Sequence, residues 1–131
     1  MNIQLEINDL KEIFQKTIQD EFFRVKKKII LKDKYDIDNA QLKRLGKQGF
    51  DWLYNKAVLI QRSEAERLKT RYIVLKANLK TYLDSFIIES GNQSKACRKL
   101  MLGKSAFYHS EKSEGLNRLI NIFNRIQEYK K

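Results

Sequence analysis

Apolar residues return along this chain at the intervals of a helix. Leu10, Ile13, Phe14, Ile18, Phe22, Val25 and Ile29 recur at spacings of three and four, which gathers them on one buried face. Asn8 or Asp9 can cap such a helix. It is predicted to run to about Leu31 and to end in the polar stretch Lys32 to Asp36. The first seven residues alternate apolar and polar. That is a strand period, but a lone strand has no partner within the chain, so the segment reads as an arm or the start of a helix.

Asp38 can cap a short helix carrying Leu42 and Leu45, after which Gly46 and Gly49 punctuate the chain. A third helix is predicted from Phe50 to Arg62, burying Trp52, Leu53, Ala57 and Ile60. Ser63 and Glu66 have capping-box spacing: if that cap operates a new helix starts there, and otherwise one long helix runs through. From Leu68, the positions Tyr72, Leu75, Leu79, Leu83, Phe86 and Ile87 keep the helical period until Ser90-Gly91, where glycine suits a left-handed helix end. Two short helical pieces follow, Ser94 to Leu102 and Lys104 to about Lys112. Ser113 can then cap a last helix with an apolar stripe of Leu116, Leu119, Ile120, Phe123, Ile126 and Tyr129. The pattern predicts an all-α chain: a helical bundle of six or seven helices, with a helical N-terminal region over residues 1–67 and a second unit over 68–131.

Composition agrees with a helical chain. Proline is absent where average usage is about 5%, so breakers are rare. Charge changes the picture more. The net charge is +11, a balance that favours polyanionic partners. The excess is concentrated: residues 91–131 hold nine basic and three acidic side chains. Between Glu89 and Glu111 there is no carboxylate at all, while Lys95, Arg98, Lys99 and Lys104 are basic. A phosphate-facing surface needs that local absence, because each carboxylate would repel the backbone.

The same segment has the packing grammar of a helix-turn-helix. Two short helices that cross steeply need small residues at the crossing and apolar residues around the turn. Ala96 and Cys97 are small, Leu100 and Leu102 straddle the turn, and Phe107 and Tyr108 follow on the second helix. Lys95, Arg98, Lys99, Lys104, Ser105 and His109 fall between the buried positions.

Gly91-Asn92-Gln93-Ser94-Lys95-Ala96-Cys97-Arg98-Lys99-Leu100 resembles the second helix of the Fis-type helix-turn-helix DNA-binding domain. The resemblance covers residues 79–109. Leu79 to Ser90 would be the family's first helix, and Lys104, Ser105, Ala106, Phe107 and Tyr108 would fall on its recognition helix. Met101 stands at the family's turn glycine and Gly103 at the serine that caps the recognition helix. The resemblance implies docking in the major groove. Ser105, Tyr108 and His109 would approach base edges or phosphates, Lys104 would anchor the N-terminus of the second helix, and Ser94, Lys95 and Arg98 would grip the backbone.

Other chemistry is sparse. Cys97 is the one cysteine and His109 the one histidine, which together are too few for a zinc site. As a nucleophile and base they would lack a third, orienting group. No glycine-rich phosphate loop is present, so neither an enzyme nor a cofactor is expected. Lys26-Lys27-Lys28 reads as a solvated face or a second phosphate patch. Tyr35, Trp52 and Tyr54 read as core, or as stacking platforms if exposed. The longest apolar run, Ala57 to Ile60, is far short of a membrane span, and residues 1–20 lack the apolar stretch of a secretory signal. The expectation is a cytoplasmic DNA-binding protein without a membrane partner: a small transcriptional regulator or a plasmid or phage accessory factor. Its partner would be duplex DNA and its state a homodimer formed through the N-terminal helices. The alternatives are a helical RNA- or single-strand-binding subunit of a larger complex, and a basic protein-interaction module.

Overall fold

A computed structural model describes residues 2–131, and among these it contains eight α-helices and no strand. The chain is all-α, with one helix more than the highest expected number. The extra helix comes from a break in the first. α1 (Ile3–Val25) stops at Lys26, which takes the left-handed conformation at φ 55 and returns its amide to Phe22 O. α2 (Lys28–Tyr35) then starts after Lys27, its N-cap. α1 also begins earlier than the pattern suggests. Asn2, not Asn8 or Asp9, caps it, its side chain accepting from the Leu5 amide at 3.1 Å. The alternating first residues are therefore mostly helix.

α3 (Asn39–Lys43) has a full capping box: Asp38 accepts from the Gln41 amide at 2.8 Å and Gln41 Oε1 from the Asp38 amide at 2.9 Å. A 3-10 turn at Leu45–Lys47 leads on to α4 (Phe50–Ile60). A second 3-10 turn, Arg62–Glu64, holds Ser63, and α5 (Ala65–Ser90) starts directly after it. A new helix does begin near Ser63, then, but through this turn. α6 (Gln93–Lys99), α7 (Ala106–Lys112) and α8 (Asn117–Tyr129) complete the chain.

Two compact units divide inside α5, between Tyr72 and Ile73. In the first, α1 packs along α4, and Ile7, Leu10, Phe14 and Ile18 are buried with Phe50, Leu53 and Ala57. Phe14 meets the rings of Phe50 and Tyr54 edge-on at 5.4 and 5.7 Å, and Tyr54 stacks on Tyr72 at 3.9 Å. Arg71 ties the start of α5 to α1, reaching Glu6 at 3.0 Å and Asp9 at 2.6 Å. In the second unit, Leu75, Leu79, Leu83 and Phe86 of α5 are buried, as are Leu119, Ile122, Phe123 and Ile126 of α8. Tyr82 meets Phe123 at 4.9 Å. Among the described residues no helix is long and apolar enough to cross a membrane.

Candidate nucleic-acid interface

The second unit builds its charged surface from two seven-residue helices that could not persist alone. α6 is held by its Asn92 cap and the buried Ala96 and Cys97, and α7 by the buried Phe107 and Ser110. α5 ends at Gly91, whose φ of 107 belongs to the left-handed region. Its amide bonds to Ile87 O and Ile88 O at 3.0 and 3.1 Å. Asn92 then caps α6, accepting from the Lys95 amide at 2.9 Å. A side chain at position 91 would be strained whatever the space, and its Cβ would lie 3.3 Å from Lys95 Cδ. Gly91→Ala is therefore expected to destabilise the second unit by about 1–2 kcal/mol in urea unfolding.

Ala96 and Cys97 are buried on the inner side of α6, and Leu100 closes it. The Cys97 thiol points at Lys104 O, 3.7 Å away. The turn that follows has the geometry of a left-handed helix end. The Met101 amide bonds to Arg98 O at 3.2 Å, the Leu102 amide to Cys97 O at 2.9 Å, and Met101 itself sits at φ 57. The backbone thus makes the left-handed turn at position 101 although the residue is methionine, while the Cβ of a side chain at Gly103 would meet open space. Because the Met101 side chain is 89% exposed, Met101→Gly loses little packing. It is expected to stabilise the unit by about 0.5–1 kcal/mol by relieving the left-handed strain. Thermal melting of the variant checks this.

α7 starts at Ala106, two residues later than the sequence suggests. Ser105 is its N-cap without a side-chain bond, so Lys104 and Ser105 lie in the turn rather than on the helix. Phe107 fixes the helix by full burial, stacked beside Phe86 at 6.5 Å. Tyr108 is one residue, and so about 100° of helix turn, further on; it is 54% exposed. Ser113 ends α7 rather than starting α8, its amide bonding to His109 O at 3.1 Å. α8 begins at Asn117 and packs against α7. Its Arg125 donates to Leu100 O at 3.2 Å, satisfying a carbonyl at the end of α6.

The eight residues singled out from sequence are all exposed. Ser94, Lys95, Arg98 and Lys99 project from α6, Lys104 and Ser105 from the turn, and Tyr108 and His109 from α7. Among the described residues none of Lys95, Arg98, Lys99 and Lys104 forms an ion pair. Lys99 lies over the Phe86 ring at 6.0 Å. The nearest acids in sequence are engaged elsewhere. Glu89 pairs with Lys130 at 3.4 Å. Glu111 faces Asp84 of α5: a hydrogen bond shared with Asp84, together with burial, raises its carboxyl to about 7, and Lys80 pulls the other way.

One residue was missed. Lys112 is exposed, and its ammonium lies 5.6 Å from the Tyr108 ring centroid. Tyr108, His109 and Lys112 follow the N-cap Ser105 at i+3, i+4 and i+7, so the three share one face of α7. That spacing was present in the sequence, where the serine and acid flanking Lys112 masked it. No protein-family model matches the chain, and comparison with curated proteins and with solved structures finds no match.

Proposed function

We propose that this chain binds duplex DNA through α6, the following turn and α7, used as a helix-turn-helix. The observation that carries this is that Lys95, Arg98, Lys99 and Lys104 are each exposed and, among the described residues, outside any ion pair, along a stretch from 90 to 110 that holds no carboxylate. Cations already neutralised by neighbouring acids would release no counterions from DNA; these would. The turn presents Ser105 and α7 presents Tyr108, His109 and Lys112 to the groove, and α6 grips phosphates with Ser94, Lys95 and Arg98. Most of these contacts fix register, and Tyr108 and His109 are the side chains suited to base edges. The role is that of a regulator or accessory factor. A homodimer would double the contact area, and exposed Leu5, Ile29 and Leu59 of the first unit offer apolar surface for it. Light scattering at binding concentrations tests that state.

A second reading has its own support. Tyr108 and His109 pack edge to face at 5.6 Å on the open side of α7, with Lys112 beside them. An exposed aromatic pair next to cations also suits stacking on unpaired bases. Titration with duplex DNA, RNA and single strands at two salt concentrations separates the readings. Preference for one duplex sequence supports the first, and tighter single-strand binding that depends on Tyr108 supports the second. No binding to any of them at moderate salt sinks both and leaves a protein-interaction role.

A further inference from the structure

A second feature, in the first unit, points to a different partner. The C-terminal end of α1, the start of α2 and α3 with its following turn enclose a groove of about 400 Å³. Phe22, Phe23, Leu42 and Leu45 line it, together with Lys28 and Lys43. Phe23 is 66% exposed although it is aromatic. No acidic side chain is among the lining residues, and among the described residues neither Lys28 nor Lys43 forms an ion pair. The start of α2 adds to the positive field. Lys27, its N-cap, makes no side-chain capping bond, and the first turn holds no acid, although the positive end of a helix dipole favours one.

We propose that this groove docks an acidic amphipathic helix of a partner protein. Apolar side chains of the partner would cover Phe22, Phe23, Leu42 and Leu45, and carboxylates would pair with Lys28 and Lys43 at the rim. This is the helix-in-groove mode, in which anchors spaced at i, i+3 and i+4 enter an apolar cleft. Charge complementarity selects the occupant. A second copy of this chain would bring lysines against lysines across a twofold contact, and a nucleic acid would satisfy the cations but leave the phenylalanine and leucine surface uncovered. The groove is lined by none of the residues assigned to the nucleic-acid surface, so the proposal stands independently of it.

The test uses the full chain and three synthetic helical peptides followed by fluorescence anisotropy. One carries leucine on one face and glutamate on the other, one carries lysine in place of glutamate, and one keeps the glutamates but has alanine for leucine. Only the first is expected to bind. Lys28→Glu combined with Lys43→Glu should weaken it at least about tenfold and admit the lysine peptide, since reversing rim charges reverses complementarity. Phe23→Ser, at an exposed position that leaves the core intact, should weaken it about fivefold. Removing Lys95, Arg98 and Lys104 should leave peptide binding unchanged. Indifference to the Lys28 and Lys43 reversal overturns the proposal, as does equal binding of the leucine-free peptide or absence of binding by the first peptide. Self-association of the wild-type chain that Phe23→Ser abolishes would make a second copy the occupant and overturn it as well.

Discussion

Replacing Lys95, Arg98 and Lys104 together with alanine is expected to weaken duplex DNA binding by about 500-fold near 0.1 M salt. The size follows from counterion release. Each phosphate neutralised adds about 0.9 to the slope of log affinity against log salt, so each contact is worth roughly eightfold at that concentration. Three lost contacts should therefore also flatten the measured slope by about three. The slope is the more informative quantity, because a general loss of structure would lower affinity without changing it in that proportion. The three side chains are exposed and outside any ion pair among the described residues, so their removal should leave the melting temperature nearly unchanged. Tyr108→Ala should act differently, reducing discrimination between sequences more than the slope. A triple variant that binds duplex DNA with unaltered affinity and slope would remove α6 and the turn from the interface.

What could be read from sequence follows the physics of each element. The apolar stripes were legible because a helical face that buries its side chains must repeat them. Leu75, Leu79, Leu83 and Phe86 are all buried, as are Leu119, Phe123 and Ile126. Asp38 was legible as a cap because a short polar side chain before an apolar run has few other uses, and the structure gives it a complete capping box. Gly91 was legible as a helix end because glycine takes a left-handed backbone without a Cβ clash.

The breaks that went unseen are those made by residues that give no such signal. Lys26 and Met101 each take a positive φ at the end of a helix. A lysine or methionine there carries a cost of about 1–2 kcal/mol and no sequence mark. Hence the division of the first helix was missed, and Gly103 suggested a shifted turn where the backbone keeps it at position 101. The early start of α1 was hidden for another reason: Ile3, Leu5 and Ile7 alternate with polar neighbours and read as a strand period, although Leu5 is exposed and Ile7 extends the buried face of Leu10 and Phe14 behind the Asn2 cap. At the candidate interface the exposed set was legible because absent carboxylates are as visible as present lysines. Asp84 was not, since only the fold brings α5 beside Glu111.

That acidic contact carries the second large effect. Glu111 holds its proton up to about 7 in the folded chain, against an ordinary value of 4.5, through its hydrogen bond with Asp84 and its burial. One of its oxygens, Oε1, is buried without a hydrogen-bond partner. The folded value lies above the unfolded one, so the associated stability is fully present below about pH 4.5 and is lost as pH rises through about 7. Between pH 5 and pH 8 the wild-type chain should lose on the order of 1–3 kcal/mol from this group, the lower figure allowing for its partial exposure. Glu111→Gln keeps a group able to bond Asp84 but cannot ionise. It should therefore be more stable than the wild type at pH 8 and differ little from it at pH 5, in urea unfolding followed across that range. The difference between the two curves cancels the titrating groups that do not interact with Glu111, so it reports the Glu111–Asp84 pair. Parallel curves would mean that Asp84 and Glu111 do not share a proton. The consequence for binding follows from position. Glu111 lies on the same short helix as Tyr108, His109 and Lys112, and α7 owes its place to Phe107 and to its contacts with its neighbours. Ionising Glu111 puts a like charge against Asp84 and loosens that seat, while also adding a negative charge beside the surface proposed to meet phosphates. Duplex affinity should therefore fall from pH 6 to pH 8 more steeply for the wild-type chain than for Glu111→Gln, at constant ionic strength.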